Sequence, residues 1–212
     1  MTGRYLLCCL LVLGLPACQS AYYGAMERFG IEKRDILADR VEEAQDAQQD
    51  GQEQFVNALE QFRSVVDFDG GDLEVVYNRL DSEFQRSEEA AARIRDRIRA
   101  VETVAEDLFD EWDDELDLYT NQNLRRDSEQ QLRETRQRYA RLVDAMNRAE
   151  QSLDPVLDNL RDNVLYLRHN LNSRAVASLR GELAVINADV DELVEAMQQA
   201  MTSTATDPGG VT

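Results

Sequence analysis

The chain has 212 residues and carries 42 acidic against 23 basic side chains, which gives a net charge of −19 at pH 7. A surface this acidic is repelled by nucleic acid and by anionic lipid, so we expect neither as a partner. Only three prolines are present, alanine, leucine, glutamate and arginine are abundant, and strand-like alternation is absent. This composition favours helices over a β fold and over disorder.

The amino-terminal segment has the features of a bacterial lipoprotein signal. Arg4 gives a positive start, and residues 5–17 form a mostly apolar run before Cys18. The run is shorter than the about 20 apolar residues that cross a bilayer, and it fits a signal peptide. Leu15 and Ala17 match the lipobox pattern, in which the cysteine is acylated before cleavage, although the proline between them is less usual. An ordinary secretory signal with an incidental cysteine is the alternative.

Cleavage before Cys18 would remove residues 1–17 together with the other two cysteines. Because Arg4 is also lost, 22 basic against 42 acidic residues would leave a net charge of −20. The mature chain would have no free thiol, so we expect no disulfide and no cysteine metal site. Gln19 stands where an aspartate would resemble the inner-membrane retention signal of enteric bacteria. The predicted location is therefore the periplasmic face of the outer membrane, held by palmitate-type acyl chains on Cys18.

The spacing of apolar side chains predicts a first helix over about residues 22–66. Its middle, residues 42–54, offers only Ala44, Ala47 and Gly51 as non-polar positions. Either a neighbouring helix approaches closely there or the stretch is loosely held. We favour close approach, because small side chains on one face permit it.

Residues 67–72 predict a helix stop and restart, with two glycines that tolerate a positive φ and Asp72 as the next cap. Over residues 73–119, apolar side chains recur every three or four positions. The mean spacing of about 3.5 is the period of a left-handed coiled coil. A second, polar break is predicted at residues 120–123, which makes this second helix about 70 Å long at 1.5 Å per residue.

From Leu124 the same pattern continues to Met197, and its last turn has two candidates. Pro155, after a possible cap at Asp154, could start a helix or merely kink one. Residues 169–173 are polar and could form the turn instead. Length matching favours the second, with a third helix over about 123–170, a fourth over about 173–201, and a disordered tail over 202–212.

The predicted fold class is all-α. We expect an elongated antiparallel coiled-coil-like bundle of three to four long helices, forming a single domain over residues 18–201. Narrow apolar stripes on long helices bury less per residue than a globular core does. Apolar surface should therefore remain for a protein partner or for self-association.

Residues 106–117 contain eight acidic side chains in twelve positions. They are interpreted either as a weak, diffuse site for divalent cations or as a solvated helix face. We favour the solvated face, because no loop is present to converge oxygen ligands at calcium distances. We therefore predict no metal site.

Residues 159–181 form a basic segment in this acidic chain, with four arginines, one aspartate and no glutamate. The segment could pair with acidic neighbours in the bundle and cap a turn, which we favour. It could instead recognise a partner or an anionic envelope polymer such as peptidoglycan, with arginine making bidentate contacts. The candidate partner-binding residues are Arg161, Arg168, His169, Asn170, Asn172 and Arg174.

Enzyme chemistry has little support in the inventory of residues. A single histidine, His169, leaves no ordinary histidine metal site and no credible Ser-His-Asp arrangement. No glycine-rich phosphate loop is present. We predict no catalytic residues, no cofactor and no small-molecule substrate.

Five short segments carry a resemblance to a known family, namely residues 22–27, 33–37, 67–73, 108–112 and 162–172. They closely resemble one proteobacterial family, the uncharacterised and lipoprotein-like domain of unknown function 2959. The resemblance implies a single domain across the mature chain, and it implies no activity. Together with the lipobox and the helical pattern, it leads us to expect a lipid-anchored helical interaction or scaffold protein of the cell envelope, with polymer binding as the alternative.

Overall fold

The computed structural model describes residues 33–205, which are helical except at the turns. The predicted signal peptide, Cys18, the first residues of the predicted first helix and residues 206–212 lie outside the described residues. The helices are α1 (Lys33–Val66), α2 (Leu73–Leu116), α3 (Gln122–Gln151), α4 (Leu153–His169) and α5 (Ser173–Ala205). The described chain contains no strand, which confirms the predicted all-α class.

The helices form an antiparallel bundle with four members side by side. Helix α1 packs against α2 and α5, while α3 and α4 both pack between α2 and α5. Arg136 of α3 pairs with Asp113 of α2, and Arg168 of α4 pairs with Asp81 of α2. Arg168 follows Arg136 by 32 residues, and Asp81 precedes Asp113 by the same number. Helices α3 and α4 therefore run end to end along α2 as one bent member of the bundle. The predicted bundle is confirmed, with four long members.

Both candidate breaks are used, but only one reverses the chain. At Ser152 the helix bends, and the Ser152 backbone N–H donates to the Arg148 carbonyl at 3.2 Å. Pro155 supplies no N–H to the preceding turn, and its ring crowds the carbonyl four residues earlier, which accounts for a bend here. The reversal itself follows His169, so the prediction based on length matching is confirmed.

The small-residue stretch of α1 makes the predicted close approach. Gly51 is buried, and a Cβ placed on it would lie 2.6 Å from Ile94 Cδ1 of α2 and 3.6 Å from Met197 Cε of α5. One helical turn earlier, Gln48 is fully buried in the same layer, and neither atom of its side-chain amide has a hydrogen-bond partner. This layer therefore combines tight packing with an unsatisfied polar group.

Three positions assigned to the apolar stripe are not core residues. Tyr119, Leu124 and Leu171 have 37%, 54% and 40% of their surface exposed. They lie at or beside the turns, where no helix crosses over them. Helix α5 also runs to Ala205, so residues 202–205 of the predicted tail are helical. No helix within residues 33–205 has both the length and the apolar content needed to cross a membrane.

Candidate functional site

The basic segment forms the end of α4, the turn after it and the start of α5. Asn170 ends α4: its side-chain amide donates to the Tyr166 carbonyl at 2.9 Å. Asn172 starts α5, because its Oδ1 accepts from the backbone N–H groups of Arg174 and Ala175 at 3.0 and 3.1 Å. Both asparagines thus cap helix ends, where unsatisfied backbone groups need partners.

Arg168 points from α4 onto the start of α2. Its Nε donates to the Tyr77 hydroxyl at 3.1 Å, and its Nη2 lies 3.5 Å from the Asp81 carboxylate. The hydrogen bond to Tyr77 is the main cause that raises the pKa of Arg168 above its ordinary value. This guanidinium links two helices of the same chain.

Arg161 makes the equivalent link two turns earlier. It pairs with Glu88 of α2 at 3.6 Å and with Asp158 of its own helix at 2.7 Å. Its guanidinium carbon also lies 5.9 Å from the centre of the Phe84 ring, within cation–π range. Four of the six candidate residues therefore make contacts that hold the bundle or its turn together.

His169 and Arg174 are the two candidate residues whose side chains make no polar contact within the described part of the chain. Both side chains are exposed, and neither forms a hydrogen bond or an ion pair with any residue of the described part of the chain. The structure thus brings the six predicted residues to one end of the bundle, where four make internal contacts and these two do not.

Three of the eight carboxylates in the acidic stretch at the opposite end of α2 form ion pairs with other helices or turns. Glu111 pairs with Lys33 at 2.6 Å, Asp117 pairs with Arg125 at 3.0 Å, and Asp113 pairs with Arg136. Among residues 33–205, no group of three or more histidine, cysteine or acidic side chains could hold a metal ion. These carboxylates thus link α2 to α1 and α3.

Trp112 packs inside this acidic stretch and fixes α2 against α3. Its indole Nε1 donates to the Ser128 hydroxyl at 2.8 Å. We expect Ser128→Ala to lower the free energy of unfolding by about 1 to 2 kcal/mol, because the half-buried N–H loses its partner. Trp112 is the only tryptophan, so its fluorescence follows denaturation by urea. Ser82→Ala is the control, since the exposed Ser82 hydroxyl bonds only its own helix, and an equal loss in both variants would contradict the assignment.

Tyr139 of α3 packs edge-on against Phe109 of α2, with ring centres 5.4 Å apart. Burial, and then the charges of Glu102 and Glu106, raise the pKa of the Tyr139 hydroxyl well above its ordinary value of 10.0. The folded protein therefore favours the neutral phenol, a stabilising contribution that is complete below pH 10.0 and is lost as the pH rises above it.

We expect Tyr139→Phe to reduce this alkaline loss of stability while keeping the aromatic contact. The measurement is the urea midpoint on either side of pH 10.0 for both proteins. Tyr119→Phe is the control, because Tyr119 is exposed and belongs to a turn. An alkaline loss that is unchanged in Tyr139→Phe would contradict the expectation.

Sequence reasoning missed two features. It did not identify Tyr77 as the partner of Arg168, because the register between α4 and α2 cannot be read from spacing alone. It also did not identify the exposed apolar side chains Leu165, Tyr166 and Val185. The sequence could have indicated them, because all three lie outside the regular three- or four-residue spacing of the apolar side chains that form the core.

The comparisons agree with the resemblance seen in the short segments. The family described as protein of unknown function DUF2959 matches residues 22–206, which is most of the chain. No curated protein matches. The chain therefore belongs to the DUF2959 family of proteins of unknown function.

Proposed function

We propose that this protein is a lipid-anchored helical interaction or scaffold protein on the periplasmic face of the outer membrane. The observation that carries the proposal is the lipobox-like pattern of residues 15–18, followed by a chain whose described part is a long helical bundle. Acylation at Cys18 would supply the membrane attachment, because several acyl chains together make release negligible.

The bundle gives this anchor a direction. Lys33, the first described residue, pairs with Glu111 near the end of α2, and the turn after α4 lies beside the start of α2. The 44 residues of α2 give a length of about 66 Å at 1.5 Å per residue. A chain anchored at Cys18 therefore enters the bundle at one end and carries the His169 and Arg174 side chains at the other.

In-cell cross-linking tests the interaction role. A photoreactive amino acid is placed at His169, and a second variant carries it at Ala140, an exposed position of α3 outside the basic segment. We expect a defined cross-linked product in the envelope fraction from the first variant and not from the second. A compact monomer without any cross-linked product in intact cells would count against the proposal.

Polymer binding through residues 161–174 is the second candidate. The exposed His169 and Arg174 favour it, whereas the internal contacts of Arg161 and Arg168 do not. Co-sedimentation with purified peptidoglycan sacculi tests it. If Arg168→Glu combined with Arg174→Glu leaves pelleting unchanged, this second function fails.

A further inference from the structure

The outer surface of α4 and α5 exposes large apolar side chains. Leu165, Tyr166 and Val185 have 43%, 41% and 47% of their surface exposed. The two helices are neighbours in the bundle. We define the apolar face as the outward side of α4 and α5 over residues 162–191, where these three apolar side chains are exposed to solvent among charged ones.

The register between α4 and α5 determines which of their residues lie at the same level, that is, at the same position along the length of the bundle. The Asn159 side-chain amide donates to the Asp189 carboxylate, and the helices run in opposite directions. Seven residues forward on α4, Tyr166 is therefore level with a position seven residues back on α5, which is Glu182. The pair Leu165 and Tyr166 thus lies level with residues 182–183 of α5.

The outward side of α5 has opposite charges at its two ends. Six exposed positions, spaced three or four residues apart, lie along one side of the helix, with the exposed Arg180, Glu182 and Glu192 beside them. These six positions are basic at the start, uncharged in the middle and acidic at the end, and their midpoint is between residues 182 and 183. The six positions are Arg174, Ala177, Gly181, Ala184, Ala188 and Asp191.

The outward side of α4 repeats this arrangement about the same level. Asp162 and His169 are exposed and stand seven residues apart, with their midpoint between Leu165 and Tyr166. That midpoint is level with the midpoint on α5. The two helices therefore carry complementary groups placed symmetrically about one level of the apolar face.

We propose that a second copy of this chain docks antiparallel on the apolar face, related by a two-fold axis at this level. In such a pair, Arg174 meets Asp191 of the second copy, and the His169 ring can donate to Asp162 of the second copy. The exposed Leu165 and Tyr166 meet their equivalents at the axis. A parallel pair would instead bring Arg174 against Arg174, which is repulsive. A two-fold contact of this kind closes on itself and gives a dimer.

The internal packing leaves room for this approach. A Cβ placed on Gly181 meets no heavy atom within 4 Å, so nothing in the described chain covers the helix there or requires the glycine. Glycine inside a helix is less favourable than alanine. A neighbouring helix that approaches closely would give that glycine a role, as Ile94 does for Gly51.

The dimer rests on the proposed interaction role and names the partner as another copy of the chain. Acylation would determine only where the pair is located. The two amino-terminal ends lie at opposite ends of an antiparallel pair. If both chains are acylated in one membrane, the pair lies along the membrane surface.

Thiol cross-linking distinguishes the possible arrangements. The full chain, with Cys8, Cys9 and Cys18 replaced by serine, carries one new cysteine, so the result does not depend on acylation. In the antiparallel pair, the two copies of Ala184→Cys are offset from each other by about 4.5 Å along the helix direction. The two copies of Ala177→Cys are offset by about 16 Å. We expect a short bis-thiol reagent to link Ala184→Cys to itself, to leave Ala177→Cys unlinked, and to link a mixture of Ala177→Cys and Ala188→Cys chains.

Ala92→Cys, at an exposed position of α2, is the control and should stay unlinked. Equal self-linking of Ala177→Cys and Ala184→Cys would indicate a parallel pair and overturn the proposal. The absence of any link, together with a monomer in sedimentation, would also overturn it.

Charge reversal tests the proposed complementarity separately. We expect Arg174→Glu, and separately Asp191→Arg, to weaken the dimer at least about tenfold, because each places like charges together at both symmetric contacts. The double variant restores the pairing and should recover the affinity. If the single changes leave the dissociation constant unchanged, or if the double variant is no tighter than the single ones, Arg174 and Asp191 do not face each other.

Discussion

Gly51→Leu is expected to destabilise the bundle more than any surface change. The new Cβ alone would stand 2.6 Å from Ile94 Cδ1, and Ile94 and Met197 are both fully buried, so neither can move into solvent. Overpacking of this kind costs about 3 kcal/mol, which exceeds the about 0.8 kcal/mol that leucine gains over glycine as a helix former. Urea unfolding followed by Trp112 fluorescence should show a net loss of about 2 kcal/mol.

Gly181→Leu is the matched control for this change. Because a Cβ at Gly181 meets no atom within 4 Å, only the helix-forming gain applies when the protein is dilute enough to be monomeric. The two variants should therefore change stability in opposite directions. A loss at Gly181 as large as at Gly51 would show that backbone conformation, and not close approach of α2, accounts for the effect.

Gln48→Met is expected to stabilise the protein. Methionine has nearly the shape of glutamine, and the change removes two buried polar atoms that have no partner. An unsatisfied buried group costs about 1 to 3 kcal/mol, so we expect the free energy of unfolding to rise by a similar amount. Equal or lower stability in Gln48→Met would show that the amide is satisfied in solution.

Gln54→Met is the matched control, since its amide is used. The Gln54 Nε2 donates to Glu83 Oε2 at 2.9 Å and to the Ser87 hydroxyl at 3.4 Å. Burial raises the pKa of the Glu83 carboxyl, but hydrogen bonds from Arg86 and Gln54 outweigh it and hold that pKa below its ordinary value. The same substitution should therefore destabilise at position 54 and stabilise at position 48.

The helices could be predicted because their signals are local. The turn between α1 and α2 follows from two glycines, both of which have a positive φ, and from the Asp72 cap, whose side chain accepts from the Glu74 N–H. The bend at Ser152 and the reversal after His169 were harder to separate, because proline and a polar run both disfavour a continuing helix. Length matching resolved them, since the third member has to reach the start of α2.

For the basic segment, the type of contact could be predicted from the sequence, but the partner residues could not. Sequence favoured pairing with acidic neighbours, and Arg161 and Arg168 do pair with Glu88 and Asp81. Which arginine meets which helix depends on the register of α4 against α2, which is set by packing along the whole bundle. Burial of Gln48 had no sequence signal, because a glutamine in a polar stretch normally faces water.

Acylation of Cys18 is the most direct test of the central claim, that this DUF2959 protein is a lipid-anchored envelope protein. Cells expressing the full chain, or its Cys18→Ala variant, are grown with labelled palmitate, and the protein is isolated by a carboxy-terminal tag. The account predicts label on the unaltered protein and none on Cys18→Ala. Label that persists in Cys18→Ala, or an unaltered protein that takes up none, would contradict it.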